Sequence, residues 1–209
     1  MDPVFDLPEQ VSVIHPYRSP EVKDVLKKFC DKFYGTDTKR TLILGINSGR
    51  FGAGVTGIPF TDPINLETKC NIAHNFPLRH ELSSKFIYEM IDAYGGPEKF
   101  YNKFLLNAVC PVGFLNGKIN YNYYDSPALL KATAPFIKQS LTAHATWNTS
   151  TTVISLGKKN AEALAYFNKE LKLFTKIITL EHPRYIMQYK LKSRGEYIRK
   201  YLDVLKSYK

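Results

Sequence analysis

The stretch TLILGINSGRFGAGVTGIPF, residues 41–60, decides how the chain is read. It opens on a short apolar run bounded by turn signals, the pattern of a strand buried on both faces. From Gly45 to Gly57 glycines recur too densely for a regular element, so the spacing predicts a strand that hands over to a loop. Asn47 stands at the hand-over. Open α/β sheets place their ligand crevices beyond the carboxyl ends of the strands, which makes Asn47 and its loop the first candidate site. Gly52, Gly54 and Gly57 satisfy GxGxxG, but the dinucleotide fingerprint must turn from strand straight into helix, and Pro59, Phe60 and Pro63 oppose a helix start. No GK[ST] follows, which excludes a Walker loop.

Outward from this stretch, the chain repeats a strand-then-helix rhythm. Buried strands are expected at Phe104–Val112, Thr151–Leu156 and Phe174–Leu180. Ser19 and Pro20 open a helix that stops near Tyr34-Gly35, a second runs from Leu78 to Tyr94, and Ser126-Pro127 open a third through Leu141. Lys158–Leu171 and a basic, aromatic stretch from Gln188 to Tyr208 complete the helices, while residues 1–20 are expected to lie extended and 61–77 to form an irregular loop. Four strands separated by helices argue for one α/β domain, residues 1–209, with a mostly parallel sheet covered on both faces.

Lys and Arg number 29 against 19 Asp and Glu, a formal charge of +10 that favours a polyanionic partner. Cys30, Cys70 and Cys110 are odd in number and form no CxxC, which excludes a disulfide framework or a four-thiolate cluster and leaves buried thiols. No apolar run approaches the roughly 20 residues that span a bilayer, and the acidic start lacks the features of a signal peptide. A cytoplasmic or nuclear location with no membrane partner is expected.

Asn47 after the first strand, Asn107 within the second and His182 after the fourth could converge on one rim, with Phe60 as a flat apolar wall. An Asn amide offers donor and acceptor side by side, matching the N3–H and O4 edge of uracil. The plainer alternatives are a strand Asn that is only hydrogen-bonded structure and a His before Pro that is only a helix cap. Asp62 fits a loop cap or a second water-holding group, and His74, His80 and His144 have no assigned role.

GINSGRFGAGVTGIPF at 45–60 resembles the first motif, GMNPGPFGMAQTGVPF, of the single-strand-selective monofunctional uracil-DNA glycosylases. LLNAVCPVGF at 105–114 is similar to their HNLCPLLF, SLGKKNAE at 155–162 to GVGRLAE, and HPRY at 182–185 to a shortened HPSPRN. The resemblance implies a three-layer α/β/α fold around a short, mostly parallel four-stranded sheet. It also implies a monomeric DNA-binding enzyme that flips a damaged base out of DNA and hydrolyses its glycosidic bond without metal or cofactor. Uracil is the implied base, with other deaminated bases open, and a non-catalytic nucleic-acid-binding domain that keeps the pocket is the alternative. By position, Asn47 matches the water-positioning amide, His182 the imidazole at the base O2, Phe60 the stacking aromatic and Asn107 the base-reading amide. Gly49 and Phe51 complete the implied base site. Lys158, Lys159, Arg184, Tyr185, Met187, Lys190, Lys192 and Arg194 are the implied DNA contacts, with Arg184, Tyr185 and Met187 available as the wedge. Ser48 in place of proline, and HPRYI in place of HPSPRN, resemble a bacterial side branch of that family.

Overall fold

A computed structural model describes residues 5–208. The main sheet has four parallel strands in the order β3-β2-β6-β7, formed by β2 (Arg40–Asn47), β3 (Phe104–Cys110), β6 (Asn148–Leu156) and β7 (Lys176–Leu180). β2, the most continuously apolar run, is a central strand, as burial on both faces requires. Its side chains sort with a period of two. Leu42 and Leu44 pack with Leu129, Ile137 and Leu141 of α6 (Pro127–Thr146) and Leu164 and Phe167 of α7 (Lys158–Leu171). Ile43 faces the other layer, built from α1 (Pro20–Phe33), α4 (Leu82–Tyr94), α5 (Pro97–Lys103), α8 (Pro183–Tyr189) and α9 (Arg194–Lys206). The result is three layers, helices on both faces of the sheet.

Several boundaries differ from expectation. Residues 1–4 lie outside the described part, and the rest of the N-terminal segment is not simply extended. Val11–Ile14 is a strand, β1, paired antiparallel with β4 (Gly113–Asn116), which pairs in turn with β5 (Ile119–Tyr121). The alternating pattern over four residues was too short to stand out between prolines. Within the glycine loop, Ala53–Thr56 makes a one-turn helix, α2, ended by Gly57 at φ 73°. Asp62 then caps α3 (Pro63–Thr68), where an irregular loop was expected. The expected helix from Gln188 is two pieces: α8 begins at Pro183 and ends at Tyr189, and α9 follows a short 3-10 turn.

Candidate active site

The cavity at the carboxyl ends of β2 and β3 has a volume of about 160 Å³. Asn47, Gly49, Phe60 and His182 all line it, together with Ser48, Glu81, Ser83, Ala108, Asn120, Asn122 and Arg184.

Asn47 is the last residue of β2, and its amide is oriented by the end of β5 and the segment that follows it. Its Nδ2 donates to the Tyr121 carbonyl at 3.3 Å, and its Oδ1 accepts from the Tyr123 N–H at 3.2 Å. A carbonyl-type oxygen has two acceptor positions, so one remains for a ligand.

Phe60 holds a left-handed backbone, φ 55°, which costs a bulky residue roughly 1–3 kcal/mol and persists only where neighbours enforce it. The neighbours are buried hydroxyls. Thr56 Oγ1 donates to the Thr61 carbonyl at 2.6 Å, and Thr61 Oγ1 meets the Tyr88 hydroxyl at 2.9 Å. The Phe60 ring lies directly over Gly45, where an added Cβ would sit 2.4 Å from a ring carbon. Gly45 is therefore needed for the ring to reach the strand.

His182 both caps α8 and lines the cavity. Its Nδ1 accepts from the Arg184 N–H at 3.1 Å at the start of α8, which places the ring proton on Nε2. Burial, reinforced by the Arg184 charge, lowers its pKa to about 4, so the ring is neutral at pH 7. Tyr201 of α9 donates its hydroxyl to the Glu181 carbonyl and steadies the residue before it. The Phe60 and His182 rings stand 6.0 Å apart at 45°.

Three expected residues fall elsewhere. Asn107 does not line this cavity. β2 and β3 pair Leu44 with Asn107 and Gly45 with Ala108, so Asn107 shares the face of Leu44 while Ala108 shares that of Gly45 and Phe60. A one-residue step along a strand reverses the side chain, and the amide is on the wrong face to read a base here. Instead Asn107 Oδ1 accepts from the Ala108 N–H at 2.9 Å, and its Nδ2 approaches His144 Nδ1 at 3.4 Å. Phe51 is held between guanidinium groups, 4.3 Å from Arg50 and 3.5 Å from Arg79, and does not line the cavity. Met187 is packed in the core at 7% exposure and cannot serve as a wedge.

The other expected DNA contacts are accessible to different degrees. Lys158, Lys159, Arg184, Tyr185, Lys190 and Lys192 are exposed. Lys158 follows Gly157, which packs beside His182. Arg194 is engaged with Glu89 at 2.9 Å. Asp62 is settled as a cap, since its fully buried carboxylate accepts from the Asn65 and Glu81 N–H groups at 2.8 and 2.9 Å.

Sequence reasoning missed Glu81, Ser83, Ala108, Asn120 and Asn122. Asn120 and Asn122 alternate in KINYNY, a period-two signal in a segment too short to place. Among the described residues no cluster of three or more His, Cys, Asp or Glu side chains could hold a metal ion.

The same architecture appears in known proteins. The family model of the Uracil DNA glycosylase superfamily matches residues 32–206. The chain belongs to the uracil DNA glycosylase superfamily. The crystal structure of wild-type Pedobacter heparinus SMUG2 superposes with a TM-score of 0.94 at 45% identity, covering 99% of this chain and 92% of that one. A search of curated proteins found no match. The protein is thus a glycosylase of the uracil-DNA glycosylase type, an enzyme of base excision repair that acts on DNA.

Proposed function

We propose that this glycosylase is monofunctional and that it cleaves a deaminated base with Asn47 holding the water and neutral His182 stabilising the departing base. Glycosidic cleavage passes through an oxocarbenium-like sugar while negative charge gathers on the base. The two groups meet those two needs. His182 Nε2–H has no acceptor within the cap, since Nδ1 is the atom that serves Arg184, and a neutral donor in a buried site stabilises an anion without first giving up a proton. The free acceptor position of Asn47 Oδ1 aligns a water for attack at the anomeric carbon. An amide cannot take the water's proton, which suits a late attack on a largely formed cation. Phe60 stacks on the flipped base and recovers part of the few kcal/mol that extrusion costs. Among the exposed lysines, Lys158 follows Gly157, which packs beside His182, and with Lys159 at the start of α7 and Lys190 and Lys192 beyond α8 it supplies positive charge for phosphates.

The observation that carries this reading is the shared cavity: an oriented amide, an imidazole whose Nδ1 is engaged by the Arg184 N–H and a strained aromatic ring converge from three separate elements. The test incubates the protein with single- and double-stranded oligonucleotides containing uracil, hypoxanthine or xanthine and then cleaves abasic sites with alkali. Alkali-dependent breaks at the altered base are expected. Breaks without alkali would remove the monofunctional assignment, and no breaks with any base would remove the catalytic one. We further propose that the protein acts as a monomer on chromosomal DNA in the cytoplasm or nucleus; size-exclusion chromatography of the DNA complex checks the stoichiometry.

A further inference from the structure

On the β3 side the cavity wall is the methyl of Ala108, which can neither donate nor accept a hydrogen bond. Reading of the base edge must come from another polar group. Ser48 donates its hydroxyl to the Pro111 carbonyl at 2.6 Å, Asn120 Oδ1 accepts from the Arg50 N–H at 3.3 Å and leaves a neutral Nδ2, and Asn122 Nδ2 donates to Asp125 at 3.2 Å and leaves a neutral Oδ1. Glu81 is placed differently. Its main-chain N–H is held by the buried carboxylate of Asp62, and its Oε2 accepts from the Ser84 N–H at 3.0 Å as the N-cap of α4. A Cβ on Gly52 would lie 3.3 Å from the same oxygen, so the carboxyl is confined between the helix start and the glycine loop. An ionised carboxylate has about four acceptor positions, and the cap uses only some of them.

We propose that Glu81 determines base specificity, accepting ring N–H groups of the flipped base in the cavity that Asn47 and His182 serve. The inference rests on the glycosylase reading above. A carboxylate favours an edge that presents N–H and repels one that presents carbonyl oxygens, so it separates bases by where those groups fall around the ring. Burial pushes the Glu81 pKa up, while the Ser83 and Ser84 donors and the Arg184 charge pull it back. Those donors fix the carboxyl in place as well as favouring its charge.

Two variants separate this role from capping. Glu81→Asp keeps a residue that caps helices well but withdraws the carboxylate by one methylene. Glu81→Gln keeps the length and removes the charge. Single-turnover kcat/KM is measured for wild type and both variants on oligonucleotides carrying uracil, hypoxanthine or xanthine, with thermal melting beside it. The expected result is a change of at least tenfold in the ratio between the wild type's best base and the others, in both variants, with Glu81→Asp melting within a few degrees of wild type. Ratios unchanged within twofold, including a uniform loss on every base, would overturn the proposal and leave Glu81 as a cap. Wild type inactive on all three bases would instead overturn the glycosylase reading itself, so the two failures are distinct.

Discussion

Two places in this molecule gather the same tools, an Asn, a His and an aromatic ring, beside a cavity, and they use them differently. At the rim stand Asn47, His182 and Phe60. Along the free edge of β3 stand Asn107, His144 and Tyr34. There the Leu106 N–H donates to the Tyr34 hydroxyl at 3.4 Å, the Ala108 N–H to Asn107 Oδ1, and His144 Nε2 meets the Ala108 carbonyl at 3.3 Å, which leaves its Nδ1 to accept from Asn107. Even the pKa values agree, since burial lowers His144 to about 4 as it does His182. The difference is in what remains to be bonded. At the edge every side chain closes on backbone, which blunts a strand that could otherwise pair with another chain. At the rim Asn47 and His182 each use part of their capacity on the fold and aim the rest into a cavity. Residue type alone does not separate the two places; what the side chains are bonded to does.

The sharpest way to break the comparison is to remove the rim amide. Asn47→Ala should lower excision at least a hundredfold in single-turnover assays, with DNA affinity in a gel-shift assay largely kept. Equal activity in the variant would take Asn47 out of the mechanism. A smaller loss is expected from Gly45→Ala, because the new methyl collides with the Phe60 ring and drives it off the strand. Base stacking on an aromatic is worth roughly 1–3 kcal/mol, so kcat/KM should fall about tenfold while circular dichroism stays native. Unchanged kcat/KM would mean that the ring does not need its seat on Gly45.

The comparison also shows how far the sequence could be read. The apolar run at β2, the Ser19 and Ser126 caps and the bounds of α7 were legible because each rests on local spacing or a single turn residue. Asn47 and His182 were legible because strand ends face the rim whatever the exact register. Asn107 was not, because which face a mid-strand side chain takes depends on register with β2, and a one-residue error reverses it. Glu81 was invisible for another reason: it fell inside the helix expected from Leu78, whereas that helix begins at Leu82 with Glu81 as its cap, and only packing against the glycine loop at Gly52 brings its carboxyl to the cavity.

Both histidines predict the same response to acid. Their native pKa values, about 4, lie below the ordinary 6.5 that each regains on unfolding. Between pH 6.5 and 4 the unfolded chain therefore binds more protons, so stability rises with pH across that window and is lost as pH falls through it. Urea midpoints measured at pH 7.5, 6 and 5 should decline in that order, and His144→Gln should make the decline shallower. Excision should show no inflection near pH 6.5 from His182, which stays neutral until about pH 4. An inflection near 6.5 that disappears in His182→Gln would show that the ring titrates as if exposed.

The smallest effect on chemistry is expected where the sequence pointed to a large one. Asn107→Ala removes a side chain that caps the edge of β3 and leaves the cavity lining intact, because position 107 shares the face of Leu44 rather than that of Gly45. Excision of the best base should stay within threefold of wild type. Stability should fall by about 1–3 kcal/mol, the usual cost of leaving partly buried groups without their partner, here the Ala108 N–H and His144 Nδ1. The neighbouring change makes the contrast decisive. Ala108→Asn puts an amide on the cavity face and should alter the ratio between bases without touching the edge. If Asn107→Ala instead changed base choice and Ala108→Asn did not, the register of β3 against β2 would have to differ by one residue, and the edge and the rim would exchange roles.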